Sequence, residues 1–293
     1  LSASWVLAGF GAALPFCVAI QILSQHGNQE RAMGVKSTTE VFVGATCLYL
    51  FPVLLVSRWQ YNGAVLGMAA LMLSGVFVAY FLPRQFETID EAPEKSTVKV
   101  EGGNSAAWVA LIALFLFFAA QTGVWAFLER IGHDISLSAQ ELGVSFAVLK
   151  VFGGVGFISA AVIGSRFGLR WPHLAGLVGL GCGLALLNQA SGFISYAIGS
   201  WLWELSFALI QCYQMAAITR LDKSNRLVAL IPAALGLGAF VGPTVAGFLK
   251  TGEGYAPILI FTFCCTVISS IAYLLLLTKK RQVALLELDA QSS

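Results

Sequence analysis

Long apolar stretches separated by short polar gaps constrain this chain more than any other sequence feature. A helix of about 20 apolar residues crosses the hydrocarbon core of a bilayer, and uniform stretches of that length do not fit barrel strands, which alternate apolar and polar residues. Charged residues make up only 11% of the 293 residues, against roughly 25% in soluble domains. We therefore predict an all-α, polytopic membrane bundle with nine transmembrane helices, at residues 4–23, 36–57, 62–82, 107–129, 143–164, 173–190, 193–218, 227–249 and 257–278.

The lysine and arginine residues predict the orientation of these helices. Alternate gaps between the spans are rich in them, whereas the remaining gaps hold Arg58 and Lys250, with Arg130 at the outer end of the fourth span. The rich gaps and the tail hold Arg31, Arg84, Lys95, Lys99, Arg166, Arg170, Arg220, Lys223, Arg226, Lys279, Lys280 and Arg281. Cytoplasmic loops carry the excess of basic residues. The gaps rich in lysine and arginine are therefore predicted to be cytoplasmic, as is the C-terminal tail at residues 279–293.

The hydrophilic segment at residues 83–106 divides the predicted spans into three before it and six after it. Its charged residues, proline and glycines are typical of a flexible linker, and the predicted orientation places it in the cytoplasm. We predict a partial N-terminal bundle at residues 1–82 and a six-helix bundle at residues 107–278. The chain begins at Leu1 with no methionine and no basic n-region, and we interpret it as a piece of a longer protein.

Two local patterns accompany the C-terminal spans. A short loop between the fifth and sixth spans carries a glycine and arginine pattern, and the eighth span carries small residues beside a proline. Small residues four apart let helices approach closely, and a proline bends a helix within a packed bundle. The loop residues are Gly164, Ser165, Arg166, Gly168 and Arg170; the helix residues are Gly238, Gly242, Pro243, Ala246 and Gly247.

Both patterns, with the layout around the linker, resemble those of the major facilitator superfamily. The loop is similar to that family's G-x-x-x-D-R-x-G-R-R pattern, with Ser165 in place of the acidic residue, and the helix to its G-x-x-x-G-P-x-x-G-G pattern, with Ala246 at one glycine. Members have twelve helices in two six-helix halves joined by a cytoplasmic linker. The resemblance implies that residues 107–278 are a C-terminal half, that residues 1–82 are helices four to six, and that the first three helices are missing.

Glu204 is an ionisable residue inside the seventh span, where a charge is costly and usually faces a cavity or a partner. Helical spacing places Trp201, Glu204 and Gln211 on one broad face, and Gln214 extends the polar character inward. One interpretation is a cavity-lining stripe in which Glu204 binds a proton or a cationic group of a substrate. The alternative is a packed polar stripe that is hydrogen-bonded to neighbouring helices, with the tryptophans in the interfacial belt.

Lys150 lies inside the fifth span, where it either extends its amine towards the interface or pairs with an acid such as Glu129 or Glu204. Gln121, Trp125 and Glu129 share one face of the fourth span, at i, i+4 and i+8. The family resemblance implies that this helix lines the central cavity. The alternative is that Glu129 is solvated at the outer membrane surface.

Glu40 follows Lys36 by four residues near the predicted cytoplasmic end of the second span. A lysine and a glutamate at this helical spacing form a pair on one face. We predict that this pair explains Glu40, and we do not count Glu40 as a site residue.

Other function classes find no support in the sequence. There is no phosphate-binding Gly-Lys-Ser/Thr loop to indicate ATP as energy source, and no nucleophile elbow or H-E-x-x-H pattern to indicate an enzyme. The six cysteines fall within spans without C-x-x-C spacing and the three histidines are isolated, so we predict no metal and no cofactor. The net charge of +2 does not indicate nucleic-acid binding.

We therefore predict a secondary active transporter of a small organic solute, in the inner membrane of the cell, with the lipid bilayer, the solute and protons as partners. The resemblance implies alternating access, with Glu204 and Lys150 as coupling residues and Gln121, Trp125, Gln211 and Gln214 in contact with solute. The alternative is a non-transporting membrane scaffold or receptor, or an inactive truncated product with the same fold. A full-length reading frame with three more spans upstream favours the transporter.

Overall fold

The computed structural model of the chain is helical throughout the residues it describes, which are 18–20, 29–50, 55, 57–80, 105–164, 166–222, 226–250 and 254–292. Helices suit an apolar chain of this kind because each one satisfies its own backbone hydrogen bonds within lipid. They are α1 (Gln29–Leu50), α2 (Ser57–Tyr80), α3 (Ser105–Asp134), α4 (Ala139–Ile163), α5 (Arg170–Asn188), α6 (Phe193–Leu221), α7 (Ile231–Leu249) and α8 (Ala256–Ser292), with a 3-10 turn at Val228–Leu230.

Six helices in the described part of the chain are long and apolar enough to cross a membrane, and they are α3 to α8. Each coincides with one of the six spans predicted after residue 106, so that part of the prediction is confirmed. Helix α8 continues beyond its predicted span through the predicted tail, as far as Ser292.

The nine-helix count is not confirmed and stays a prediction. Most of the predicted span 4–23 lies outside the described residues. Helix α1 overlaps the span predicted at 36–57, but it carries Lys36 and Glu40 near its start. Helix α2 departs from helical geometry at Gln60 (φ 49°, ψ −134°), and its apolar part is the shorter stretch Val65–Gly75.

The described residues form two units, one from within residues 1–41 and 103–293 and the other from within residues 42–102. Two helices are central to the first unit. Helix α3 packs against α6, α7 and α8, whereas α6 packs against α3, α4 and α5, and α5 also contacts α8. This arrangement buries α6 on all sides from residue 208 to residue 219. It leaves apolar residues such as Ile194, Phe240 and Phe248 on the outer surface, which is the surface that lipid covers.

Helices α3 and α7 approach closely at the glycines that the sequence singled out. A Cβ atom at Gly242 would collide with the Ala119 carbonyl oxygen and the Thr122 hydroxyl, and one at Gly238 would lie 3.1 Å from the Ala119 nitrogen. The Thr122 hydroxyl also donates to the Gly238 carbonyl oxygen at 3.0 Å. These two glycines therefore lie where α3 and α7 approach closely, as a small-residue pattern predicts, whereas the Cβ position of Gly247 meets no atom within 4 Å in the described part of the chain.

Two acidic side chains stabilise helix starts in the first unit. Ser138 and Glu141 form a capping box at the start of α4, which satisfies backbone donors that have no partner within the helix. The Asp222 carboxylate accepts from the backbone nitrogens of Leu227 at 2.6 Å and Val228 at 2.9 Å, before the 3-10 turn that leads into α7. Both arrangements give hydrogen-bond acceptors to backbone nitrogens at the start of the next helical segment.

Candidate functional site

Lys150 of α4 and Glu204 of α6 form an ion pair inside the bundle. Nζ of Lys150 lies 3.5 Å from Oε1 of Glu204, and the side chains are 35% and 7% exposed, respectively. The carboxylate is therefore buried, whereas the amine opens towards the surface of the unit. Lys150 was predicted to pair with Glu129 or Glu204 or to extend outwards, and the structure selects Glu204.

A glycine makes room for the buried carboxylate. The Cβ position of Gly153, on α4, lies 3.2 Å from Cγ of Glu204, so the Glu204 side chain occupies the space that any larger residue at 153 would fill. Gly156, one turn further along α4, lies against the Leu205 carbonyl oxygen and the Ala208 side chain. These two glycines bring α4 close to α6 and place Glu204 between the two helices.

An aromatic wall extends from the ion pair, and we define it as Trp125, Phe146, Trp203 and Phe207. Nζ of Lys150 lies 4.1 Å from the centroid of the Trp125 ring, within the range of a cation–π interaction. Trp125 stacks on Trp203 with ring centroids 6.3 Å apart, and Trp203 stacks on Phe207 at 6.1 Å. Phe146 meets the edge of Trp125 at 5.9 Å. Trp125 is 40% exposed, so the wall has one accessible end.

Gln121 is held within the bundle by partners on two other helices. Its Oε1 accepts from the Trp203 indole nitrogen at 2.7 Å, and its Nε2 donates to the Thr266 hydroxyl at 2.8 Å. Thr266 in turn donates to the Thr262 carbonyl oxygen at 2.7 Å. Gln121 thus positions Trp203 within the aromatic wall, and its predicted contact with solute stays a prediction.

The other two glutamines of α6 differ in their surroundings. Gln214 donates to the Ser269 hydroxyl at 2.9 Å, and Ser269 donates to the Ala113 carbonyl oxygen at 2.7 Å. Its Oε1 is buried without a hydrogen bond among the described residues. Gln211 is 8% exposed and lies three residues from Gln214 on the same helix. This part of the predicted polar stripe is therefore partly the packed, hydrogen-bonded arrangement of the alternative interpretation.

Trp201 and Glu129 have partners other than Lys150 and Glu204. The Trp201 indole nitrogen donates to the Ser145 carbonyl oxygen at 2.9 Å, and its ring stacks on Phe152 with centroids 5.5 Å apart. Glu129 has an exposed side chain whose Oε1 lies 3.7 Å from Nε2 of His133. The structure thus places Glu129 at the surface, as the alternative interpretation expected.

The loop between α4 and α5 uses its glycines for a tight turn. Gly164 and Gly168 have φ angles of 50° and 69°, a region that side chains disfavour. Arg170 donates to the Thr278 hydroxyl at 3.1 Å, which ties the start of α5 to α8, whereas Arg166 is exposed. Ser165, which replaces the acidic residue of the resembled pattern, lies outside the described residues.

The predicted Lys36–Glu40 pair on α1 is confirmed, with Nζ 2.7 Å from the carboxylate. No group of three or more histidine, cysteine, aspartate or glutamate side chains in the described ranges could hold a metal ion. The main site itself offers an ion pair and an aromatic surface.

Sequence reasoning did not single out most of the aromatic wall. Trp203 was assigned to the interfacial belt in one interpretation, but it is 1% exposed and packs in the interior. Phe207 was not considered, although it lies four residues after Trp203, and Phe146 lies four residues before Lys150. This i, i+4 spacing of aromatic and charged residues on α4 and α6 is the feature that could have identified the wall.

Comparison with known proteins gives one similarity of moderate extent. The chain is 31% identical over 156 residues to the multidrug efflux protein YfmO of Bacillus subtilis (strain 168), and the match covers 52% of this chain and 39% of that protein. The alignment therefore spans about two-fifths of the relative's length. No protein-family model matches the chain.

Six membrane-spanning helices and this similarity identify the chain as an integral membrane protein. The similarity is consistent with a transport protein. The lipid bilayer is thus its surroundings.

Proposed function

We propose that the protein is a secondary active transporter of the major facilitator type, which moves small organic solutes by alternating access. The observation that carries this proposal is the Lys150–Glu204 pair, a charged pair within two spanning helices that opens onto aromatic side chains. A buried ion pair adds little stability compared with apolar packing, so its presence within a membrane is best explained by a functional role. The efflux protein that shares 31% identity supports the same conclusion.

The arrangement favours an organic solute that carries a positive charge and an aromatic ring. Lys150 contacts both the Glu204 carboxylate and the face of Trp125. A cationic solute satisfies the same two partners, because the carboxylate attracts its charge and the indole face attracts the cation. Its ring would then lie at the accessible Trp125 end of the aromatic wall. The solute would thus replace Lys150 rather than require a new binding surface.

Proton coupling follows from competition for the Glu204 carboxylate. A proton on Glu204 neutralises the charge that holds either Lys150 or the solute. Proton binding therefore favours solute release, and proton loss favours solute binding, which is the exchange that a proton-driven efflux cycle needs. In the intact membrane we place the residue 83–106 linker and the C-terminal tail in the cytoplasm, following the distribution of lysine and arginine residues.

The test measures flux of a fluorescent aromatic cation, ethidium, in vesicles with an imposed pH gradient. We expect gradient-dependent flux for the wild type and none for Glu204→Gln, which keeps the side-chain shape but has no titratable carboxylate. Glu129→Gln is the matched control, because it removes an exposed glutamate outside the pair, and it should retain flux. Equal, gradient-independent flux in wild type and Glu204→Gln would remove the coupling role of Glu204.

A further inference from the structure

A cavity lies away from the ion pair, between the N-terminal part of α1 and the C-terminal end of α4. Its volume is about 480 Å³. The two helices cross closely beside it, since the Cβ position of Gly34 lies 2.7 Å from the Ala161 Cβ and 2.8 Å from the Phe157 carbonyl oxygen. The lining residues that matter for recognition are Arg31, Arg166, Thr38, Val35, Ile158 and Val162.

The cavity has a charged part and an apolar part. Two arginines line it, Arg31 from the first turn of α1 and Arg166 from the loop after α4. Thr38 also lines it, and its buried hydroxyl oxygen has no hydrogen bond within the described residues. Val35 is 54% exposed and Val162 is 63% exposed, so apolar surface continues from the cavity onto the outer face of the helices.

The charges of the lining attract an anion. The residues that line the cavity in the described structure include no carboxylate. At the end of α4, two of the carbonyl groups that would repel an anion already accept hydrogen bonds: the nitrogen of Gly164 donates to Ala160, and that of Arg166 donates to Ile163. The first turn of α1 adds the positive end of a helix dipole near Arg31. Guanidinium groups bind phosphate through paired hydrogen bonds.

We propose that this cavity binds the phosphate headgroup of an anionic phospholipid, with the acyl chains lying on Val35, Ile158 and Val162. The site lies where α1 begins and α4 ends, which is the level of the membrane interface in the predicted arrangement of the spans. Both arginines belong to the set of basic residues on the predicted cytoplasmic side. Basic pockets between transmembrane helices on that side are suited to acidic headgroups. A soluble phosphate would match the arginines but would leave the apolar surface unused.

The experiment counts lipids bound to the purified full chain by native mass spectrometry. Phosphatidylglycerol and phosphatidylcholine with identical acyl chains form two arms, and glycerol 3-phosphate forms the soluble arm. We expect phosphatidylglycerol to bind more tightly than phosphatidylcholine, and glycerol 3-phosphate not to compete at concentrations at which the lipid saturates the site. Loss of one phosphate-binding arginine should weaken phosphatidylglycerol binding about fivefold.

The variants separate a built site from general surface charge. Arg31→Gln and Arg166→Gln are compared with Arg226→Gln, an exposed arginine outside the cavity on the same predicted side. Val162→Trp fills the cavity without changing charge, and Val178→Trp enlarges an equally exposed valine, 67% exposed, on α5. Both cavity arginine variants and Val162→Trp should weaken binding, and both controls should bind as the wild type does.

Four results would overturn the proposal, and melting temperatures confirm that each variant is folded. Equal binding of the two lipids removes charge selectivity, and competition by glycerol 3-phosphate at matched concentration assigns the site to a soluble phosphate. An equal loss in Arg226→Gln shows a general charge effect. Unchanged binding in Val162→Trp places the lipid elsewhere, and this variant decides the question even if Arg31→Gln lowers stability.

Discussion

The Cβ position of Gly153 lies 2.9 Å from Oε1 of Glu204, closer than real Cβ atoms approach other atoms. The neighbouring Gly154 differs, because its Cβ position lies 3.6 Å from a methyl group of Val41, which is an ordinary packing distance. Both glycines are buried in the same turn of α4. One of them therefore shapes the space around the carboxylate, and the other does not touch it.

This difference predicts that Gly153→Ala disturbs the ion pair. The added methyl group pushes the Glu204 carboxylate away from its position opposite Lys150, and overpacking of this kind costs about 1–3 kcal/mol. We expect gradient-driven ethidium flux to fall by about fivefold or more. Gly154→Ala should transport as the wild type does, and both variants gain the same helix propensity from alanine. Equal flux in the two variants would show that Gly153 has no special relation to Glu204.

The pairing of Trp203 with Gln121 makes a second prediction. Trp203→Phe keeps an aromatic ring but leaves Oε1 of Gln121 without its 2.7 Å donor, and a buried acceptor without a partner costs about 1–3 kcal/mol. Gln121→Leu removes the other partner. We expect the double variant to be less destabilised than the sum of the two, with a coupling of about 1 kcal/mol in thermal unfolding.

Solute flux separates this positioning role from direct contact. If Gln121 only positions Trp203, both single variants should raise the ethidium concentration needed for half-maximal flux by a similar factor. A shift in Gln121→Leu alone, with Trp203→Phe unchanged, would assign Gln121 to solute contact, as the sequence first suggested.

The six C-terminal helices could be predicted from sequence because apolar length is a local property of each segment. The close approach of α3 and α7 was also predictable at Gly238 and Gly242, since residues without a side chain bring backbones together. Gly247 on the same helix has no atom within 4 Å of its Cβ position among the described residues. Spacing along one helix indicates a small-residue face, but the angle between two helices decides where that face ends.

The site was harder to predict because it depends on which helices become neighbours. The sequence leaves two acidic partners open to Lys150, which are Glu129 and Glu204. Only the packing of α4 against α6 selects Glu204. Trp203 illustrates the same limit: a tryptophan near the end of a span fits the interfacial belt, yet here it is enclosed by α3 and donates to Gln121. Burial of a residue in a bundle depends on the partner helices.

The ion pair itself predicts an asymmetric pattern of stability. Lys150→Leu leaves the carboxylate of Glu204, whose side chain is 7% exposed, without its cation. The loss should be about 1–3 kcal/mol, below the 3–5 kcal/mol of a fully buried pair because Lys150 is partly exposed to solvent. Adding Glu204→Gln to Lys150→Leu removes the uncompensated charge and should restore most of the unfolding temperature. A double variant less stable than Lys150→Leu alone would contradict the assignment of the pair.

The contact between α3 and α7 gives the last prediction, on the assembly of the bundle. Gly242→Ala introduces a methyl group against the Ala119 carbonyl oxygen and the Thr122 hydroxyl, so α7 must move away and the Thr122–Gly238 hydrogen bond of 3.0 Å lengthens. We expect a loss of about 1–3 kcal/mol in thermal unfolding. Gly247→Ala, on the same helix but in open space, should be neutral or slightly stabilising because alanine favours the helix. Both changes add one methyl group to α7, so the difference between their melting temperatures measures the contact with α3 alone. Equal melting temperatures would mean that this contact does not stabilise the bundle.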